Sequence, residues 1–239
     1  MLEEVLAVVV GPMVGSLVGT VVDRLPEDRP VALARSQCAS CGRRLGPLEL
    51  VPLLTYIAQR GRCKGCGAAI PRRLPLIELA AMLIAVLAVW RADGVAAWAG
   101  AVLGWMLLAL GLIDWRHLWL PDVLTLPLVA GGLAVTAWLA PSLLSDHMIA
   151  AVAGWLVFTA IAWSYRRLRG REGLGGGDAK LLAAGGAWLG AATLPSVVLV
   201  ASLAALLWAV ITRQFDPAGR LPFGSFLAGA IWLCWLATL

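Results

Sequence analysis

Charged residues are scarce in this sequence: Asp, Glu, Lys and Arg make up 14% of its 239 residues, whereas 61% are hydrophobic. Soluble domains average about 45–50% apolar residues, because their surfaces must face water. The mean hydropathy of +0.86 is high for a water-exposed chain. The composition therefore excludes an ordinary soluble globular protein and predicts that much of the apolar surface faces lipid.

Histidine is also scarce, with only His117 and His147 present. The sequence contains no G-x-S-x-G and no H-E-x-x-H, which are motifs of serine hydrolases and zinc-dependent proteases. No glycine-rich dinucleotide-binding fingerprint occurs either. The usual catalytic groups of hydrolases are therefore poorly represented, with the exception of carboxylates.

Long apolar runs are plentiful, and we count eight that can cross about 30 Å of hydrocarbon. They are residues 5–22, 75–91, 95–113, 122–140, 147–164, 179–190, 194–212 and 223–239. We therefore predict an all-α polytopic membrane protein with about eight transmembrane helices. The first run follows Glu3 and Glu4 rather than a basic segment, so we expect a retained helix and not a cleaved signal.

The basic residues are confined to a few segments between these runs. With the N-terminus outside and eight crossings, all of the 19 Lys and Arg residues except Arg91 lie at the inner side. Positive charge accumulates on the cytoplasmic side of membrane proteins. We therefore expect both termini outside and contacts between the basic segments and the anionic inner leaflet. This clustering indicates membrane topology rather than nucleic-acid binding.

The polar residues are concentrated in one block, and this divides the chain into three predicted parts. Residues 1–22 form the first transmembrane helix, residues 23–74 a small cytoplasmic loop domain, and residues 75–239 a multi-helix membrane core.

Four of the five cysteines lie in this loop domain as two C-x2-C pairs separated by 21 residues. These residues are Cys38, Cys41, Cys63 and Cys66. Two such pairs suit tetrahedral zinc, and a metal would help a block with few core-forming residues to fold. Two disulfides, or an iron–sulfur or redox role, are the alternatives, although disulfides are disfavoured in the reducing cytoplasm. We therefore predict a four-cysteine zinc-knuckle domain and interpret Cys234 as an ordinary apolar-segment cysteine.

Several acids lie at the predicted inner ends of helices, where a carboxylate needs a reason to be present. Asp114 follows a long apolar run, and Asp178 follows three glycines that begin with Gly175 and end with Gly177. By the predicted topology the two aspartates lie on different helices but at the same edge of the membrane. Two carboxylates that share a proton can activate a water molecule for hydrolysis. We therefore interpret Asp114 and Asp178 as a catalytic pair, while a helix cap in a flexible loop is the alternative for Asp178.

Three further charged residues are candidate supporting groups near this pair. Asp122 opens a predicted helix and can equally be a capping residue. Glu78 and Lys180 are expected near the site, with a helix-terminal acid and a lysine that reaches towards the membrane surface as the alternative interpretations.

Five segments together carry a resemblance to a known family: GPMVGSLVGTVVDRLP, the double C-x2-C loop ending in RGRCKGCGAAIPRRLPLIE, IDWRHLWLPD, GLGGGDAKL and GRLPFGSFLAG. The chain resembles the bacterial type IV prepilin peptidases of the GxGD class of membrane aspartyl proteases. The resemblance implies an eight-helix enzyme of the bacterial cytoplasmic membrane whose paired aspartates are Asp114 and Asp178.

The resemblance also implies substrates and cofactors. The substrates would be prepilins and pseudopilins, cut after a glycine at the end of a short basic leader on the cytoplasmic side. The new N-terminal residue would also be methylated with S-adenosylmethionine, an activity associated with the cysteine loop. The sequence does not assign residues to the binding of this methyl donor.

Two other classes of function remain open from the sequence. One is a small transporter coupled to protons or cations, with a zinc-bound regulatory loop, in which the aspartates would carry ions. A transporter is expected to have acids near the membrane midplane and repeated halves, and neither pattern is found here. The other class is a binding scaffold without chemistry.

Overall fold

The structure, a computed structural model, describes residues 2–31, 36–170, 175–213 and 221–238. Its α-helices are α1 Leu2–Arg24, α2 Leu54–Ala58, α3 Arg73–Arg91, α4 Gly94–His117, α5 Asp122–Leu139, α6 Leu144–Arg169, α7 Gly176–Leu189, α8 Leu194–Thr212 and α9 Phe223–Thr238. Short 3₁₀ helices cover Leu25–Glu27, Pro47–Leu50 and Pro141–Leu143. The first two residues of GLGGGDAKL and of GRLPFGSFLAG lie outside the described ranges.

Each of the eight predicted apolar runs coincides with one of these helices, and α2 is a short addition within the polar block. In the described ranges, strand-like pairing is limited to two isolated antiparallel bridges, Gln37 with Arg44 and Arg62 with Ala69. The predicted all-α architecture is therefore confirmed.

Six of the described helices are long and apolar enough to span a membrane: α1, α3, α4, α5, α6 and α8. α8 exposes large apolar side chains such as Leu199, Leu203 and Leu206. Side chains of this type have no favourable contact with water, and lipid is the environment that suits them. The fold is that of a polytopic membrane protein.

The chain forms two compact units, Met1–Trp105 and Met106–Leu239, which divide within α4. In the first unit, α1 packs against α3 through glycines on one face of α1. A Cβ at position 15 would lie 2.5 Å from the Glu78 Cα, and one at position 11 would lie 2.9 Å from the Met82 Cα. Glycines four residues apart therefore let the two backbones approach closely, as small residues commonly do between membrane helices.

In the second unit, α7 is the central helix and packs against α5, α6, α8 and α9. Its glycines and alanines allow this: a Cβ at position 186 would lie 2.5 Å from the Ala150 carbonyl carbon in α6. The Trp188 ring lies 2.6 Å from where a Cβ at position 132 of α5 would be. α7 is therefore surrounded by protein and needs neither the length nor the hydropathy of a lipid-facing helix.

α7 begins at Gly176, three residues before the predicted start at 179. Its N-cap is Gly175, and Asp178 accepts a hydrogen bond from the Gly175 backbone amide (3.1 Å). A carboxylate at this position satisfies an amide that the helix itself leaves unpaired. The glycine run is therefore partly the first turn of the helix rather than only a loop before it.

The proposed division into residues 1–22, 23–74 and 75–239 is a division by role, and it stays a prediction. Nothing in the packing of the two units assigns a role to these parts.

Candidate active site and candidate metal centre

Asp114 lies in the last turn of α4, and its residue is only 5% exposed. The Ser225 backbone amide donates a hydrogen bond to its Oδ2 atom at 2.8 Å. The Ser225 hydroxyl shares its one proton between the same Oδ2 at 3.2 Å and the Gly111 carbonyl at 2.8 Å. Ser225 belongs to the first turn of α9, where backbone amides have no partner within their own helix. The carboxylate is therefore buried, but it is held by the N-terminus of another helix.

Asp178 lies in the first turn of α7, and its residue is 7% exposed. The N-cap of α7 is Gly175, so Asp178 is the third residue of the helix and not the capping residue of the alternative interpretation. An acid in the first turn interacts favourably with the helix macrodipole. Local helix geometry therefore explains how Asp178 is accommodated in a buried place.

Leu120 packs against the backbone beside both aspartates. A Cβ at position 177 would lie 2.7 Å from the Leu120 Cβ, and a Cβ at position 224 would lie 2.8 Å from its Cδ1. The Cβ at position 224 would also lie 3.0 Å from the Asp114 Cγ, so Leu120 lies next to the surroundings of both carboxyl groups. Asp114 and Asp178, 64 positions apart along the chain, therefore lie at the same end of the second unit.

Lys180 and Asp122 form an ion pair at the same end of α7. The Lys180 Nζ lies 2.5 Å from the Asp122 Oδ1, and the side chains are 35% and 56% exposed. The N-cap of α5 is Pro121, so Asp122 is the first helical residue and not the capping residue of the alternative interpretation. The pair connects the first residue of α5 to the fifth residue of α7, two residues beyond Asp178.

Glu78 belongs to the first unit, where its Oε2 accepts a hydrogen bond from the Leu53 backbone amide (2.8 Å). Leu53 has a positive φ of 57°, which is uncommon for a residue with a branched side chain. Glu78 therefore connects α3 to the start of α2. Its expected support of the aspartate pair stays a prediction.

The four cysteines of the loop domain lie together. Their sulfur atoms are all within 4.8 Å of one another, and the Cys38 and Cys66 sulfurs are 3.9 Å apart. Zn–S bonds of about 2.3 Å in a tetrahedron place neighbouring sulfurs about 3.8 Å apart. A disulfide needs about 2.05 Å, and all five cysteines carry free thiols. The cluster therefore has the dimensions of a tetrathiolate metal site.

Two equivalent turns bring these sulfurs together. In the first knuckle the Cys38 amide donates to the Arg43 carbonyl (2.9 Å), and in the second the Cys63 amide donates to the Ala68 carbonyl (2.8 Å). Each turn needs a residue with positive φ, supplied by Gly42 at 69° and by the matching Gly67 at 71°. Glycine adopts this conformation without strain.

Backbone amides also favour the metal-binding form of one cysteine. The amides of Cys66 and Gly65 point at the Cys63 sulfur and lower the pKa of this thiol to about 6. Metals bind the thiolate, so amides directed at sulfur prepare the site for a cation.

Sequence reasoning did not identify Ser225, Gly224 or Arg43. Gly224 and Ser225 lie in the segment GRLPFGSFLAG, which was noted only as part of a resemblance. A Cβ at position 224 would lie 3.0 Å from both the Cγ and the Oδ2 of Asp114. Asp114, which both Gly224 and Ser225 contact, is more than 100 positions away in the sequence, so no local pattern indicates these contacts.

Comparisons with known proteins find two family models that match successive parts of the chain. Residues 9–92 match the family model described as the bacterial peptidase A24 N-terminal domain, and residues 101–210 match the type IV leader peptidase family. No solved structure matches.

Curated relatives named prepilin leader peptidase/N-methyltransferase align over most of the chain. The relative from Aeromonas salmonicida is 42% identical over 206 residues, covering 84% of this chain and 71% of the relative. The Burkholderia pseudomallei relative is 45% identical over 214 residues (86% and 68%), and the Pseudomonas aeruginosa relative is 40% identical over 211 residues (86% and 72%). With these similarities along both units, the chain belongs to the type IV leader peptidase family.

Proposed function

We propose that this chain is a membrane aspartyl endopeptidase that removes the short basic leader from type IV prepilins and pseudopilins, cutting after a glycine. The observation that supports this proposal is that two buried acids, Asp114 and Asp178, lie at the ends of α4 and α7 beside the same Leu120 side chain. The names of the relatives support the substrate class. They give no support to the alternative of a transporter coupled to protons or cations.

In the proposed reaction, Asp114 and Asp178 share one proton and hold a water molecule between them. The ionised carboxylate accepts a proton from this water as its oxygen attacks the scissile carbonyl carbon. The protonated carboxyl group then donates its proton to the departing amine as the C–N bond breaks. Both carboxylates act without a covalent intermediate, and the pair returns to its starting protonation after product release.

The substrate must reach this pair at the cytoplasmic edge of the membrane. The residues around the proposed site lie at the ends of four helices: Asp114 in α4, Asp122 in α5, Asp178 in α7 and Ser225 in α9. The helix that precedes α7, α6, ends with three arginines, Arg166, Arg167 and Arg169. Basic residues near helix ends favour a cytoplasmic location. We place the active site at the cytoplasmic edge of the bacterial inner membrane, with both termini on the periplasmic side and anionic inner-leaflet lipid around the arginines.

We assign zinc to the four-cysteine cluster of the loop domain as a structural ion. The donor set suits it, because four thiolates at tetrahedral spacing form closed sites that keep no position open for substrate. Cys38 and Cys41 would hold the ion from one knuckle, and Cys63 and Cys66 from the other. When bound, the ion would cross-link the two knuckles and would take no part in catalysis.

A second activity, N-methylation of the new N-terminal residue, follows from the names of the relatives. S-adenosylmethionine would be the methyl donor, transferring its methyl group to the free amine that proteolysis releases.

The proposal is tested with the purified full-length protein in detergent or nanodiscs and a prepilin that carries its leader. Mass spectrometry should detect the shortened pilin, and added S-adenosylmethionine should increase its mass by one methyl group. Asp114→Asn and Asp178→Asn should each reduce cleavage at least ~10²-fold, because an amide cannot exchange the proton. Asp93→Asn, in an exposed position between α3 and α4, is the matched control. Undiminished cleavage by either active-site variant would refute the aspartyl mechanism.

A further inference from the structure

Arg43 belongs to the first cysteine knuckle, but its side chain extends towards the second. It follows Gly42 directly, and its carbonyl oxygen accepts the Cys38 amide that closes the knuckle. A Cβ at position 65 would lie 2.9 Å from the Arg43 Nε and 3.0 Å from its Cδ. The side chain therefore lies over the Gly65 backbone, between the two cysteines of the other knuckle.

Glu49 holds this arginine in place. The Arg43 Nη2 donates to the Glu49 Oε1 at 2.6 Å, and the other carboxylate oxygen of Glu49 accepts the Gly46 amide at 3.0 Å. A carboxylate fixed at both oxygens leaves its arginine partner little freedom to turn away. An arginine guanidinium is protonated at any relevant pH, so Arg43 always carries its charge.

One part of the guanidinium is left without an acceptor. The Arg43 Nε is buried and has no hydrogen-bond partner among the described residues. The side chain lies over Gly65, whose backbone amide donates to the Cys63 sulfur at 3.4 Å. Cys63 is itself only 7% exposed. A buried donor without a partner is costly, so its position near the Cys63 sulfur calls for an explanation.

The charge of the bound metal site supplies that explanation. A divalent cation with four thiolates carries a net charge of −2, and a negative centre that is partly removed from water is stabilised by a cation close to it. Arg43 is a cation beside the second knuckle, and its guanidinium is oriented by the Glu49 carboxylate.

We propose that Arg43 is the outer-sphere cation of the four-cysteine metal centre, held by Glu49 and laid across Gly65 so that its charge stabilises the Cys63 thiolate in the metal-bound state. This inference rests on the proposed zinc site but not on the peptidase activity. Gly65 is part of the arrangement, because any larger residue would push the guanidinium away.

The experiment measures zinc affinity of the full-length protein in detergent by competition with a chromophoric chelator. Arg43→Met keeps the length and apolar stem of the side chain but removes the charge, and Arg43→Lys keeps a charge without the guanidinium. The matched control is Arg44→Met at the neighbouring exposed position. Arg43→Met should weaken zinc binding roughly 10- to 100-fold, as loss of an outer-shell partner usually does, and Arg43→Lys should weaken it less. Arg44→Met should leave the affinity unchanged.

Gly65→Ala tests the contact itself. Its φ is not in the left-handed region, so the methyl group acts mainly by displacing the arginine. Gly65→Ala should weaken zinc binding in the wild-type background and have little further effect in the Arg43→Met background. Equal effects in both backgrounds would show that the methyl group acts on the knuckle and not through Arg43.

Cobalt substitution protects the test from a folding artefact. Thiolate-to-cobalt charge-transfer absorption of normal intensity in Arg43→Met shows that four sulfurs still bind. Normal absorption together with wild-type zinc affinity in Arg43→Met would overturn the inference. A wild-type protein that binds neither zinc nor cobalt would overturn the metal site and this inference together.

Discussion

The backbone amide of Ser225 donates a hydrogen bond of 2.8 Å to the Oδ2 of Asp114, from the first turn of α9 to the last turn of α4. The C-terminal end of a helix is an unfavourable place for a carboxylate, because the macrodipole is negative there. The N-terminus of α9 offsets this, since its free amides point at the acid. The Ser225 hydroxyl also bonds to the Gly111 carbonyl at 2.8 Å, one turn before Asp114, and so ties the two helix ends together.

The first prediction concerns the Ser225 hydroxyl. Ser225→Ala keeps the backbone amide but removes the second donor to Asp114, so kcat should fall roughly 2- to 10-fold, the value of one hydrogen bond. KM should stay the same, because the lost contact orients a catalytic group rather than the substrate. Steady-state kinetics with a prepilin substrate would measure both constants.

Ser225→Thr serves as the conservative rescue, since it restores a hydroxyl. A rise in KM without a change in kcat for Ser225→Ala would contradict a positioning role and indicate contact with the substrate.

The second prediction concerns Gly224. A methyl group at this position would lie 3.0 Å from the Asp114 Cγ and 2.8 Å from the Leu120 Cδ1, so the carboxylate must move. Because a displacement of about 1 Å at a catalytic group can reduce the rate ~10²-fold, Gly224→Ala should lower kcat by about that factor.

Gly229→Ala is the matched control in the same helix, because its Cβ would meet nothing within 4 Å. Circular dichroism should show the same helix content for both variants. Equal activity of the two would mean that the Asp114 carboxylate tolerates displacement.

The third prediction explains the spacing of the glycines before Asp178. A Cβ at position 177 would lie 2.7 Å from the Leu120 Cβ, and one at position 175 would lie 3.2 Å from the Asp178 Oδ2, whereas position 176 meets nothing within 4 Å. Gly177→Ala should therefore abolish most cleavage, Gly175→Ala should reduce it less, and Gly176→Ala should leave it nearly unchanged. The three rates, measured in parallel, give the order directly, and a severe loss in Gly176→Ala alone would contradict the steric explanation.

These contacts show where sequence reasoning ends. The apolar runs predict every long helix, because length and hydropathy are local properties of a membrane segment. The cysteine spacing predicts the metal site for the same reason, since each knuckle closes within six residues. Both aspartates are recognisable because buried acids are costly in such a sequence.

Contacts between distant segments were not predictable in this way. The Asp114 carboxylate looks badly placed from its own helix, and only α9, 111 residues further on, provides its donors. The contact of Arg43 with the second knuckle is likewise invisible, because nothing local shows that its side chain crosses to Gly65. The boundary of α7 was missed by three residues, because glycines and an acid form its first turn where a loop was expected.

The fourth prediction concerns the Lys180–Asp122 pair. Both side chains are partly exposed, and ion pairs of this kind contribute little, about 0.2–1 kcal/mol. Lys180→Gln and Asp122→Asn should each reduce kcat/KM less than about 5-fold. The double variant should be no worse than the less active single variant, because the two changes remove one interaction.

A loss of 10²-fold or more from Lys180→Gln, with little effect of Asp122→Asn, would contradict this. It would mean that the lysine contacts the substrate directly and does not only brace α7 against α5.

The fifth prediction concerns the metal and separates the four knuckle cysteines from the fifth. Cys66→Ser should bind less than one zinc per chain and make the loop domain sensitive to limited proteolysis, because the ion holds together two knuckles that have little apolar core. Cys234→Ser should retain full zinc content, since Cys234 is a buried residue of α9 in the other unit. Zinc content by atomic emission and the pattern of proteolytic fragments would measure both effects.

Stripping the wild-type protein with a chelator should reproduce the proteolysis pattern of Cys66→Ser, and readdition of zinc should reverse it. A wild-type loop that stays resistant after complete stripping would show that the knuckles, with Arg43 and Glu49 between them, are stable without the ion.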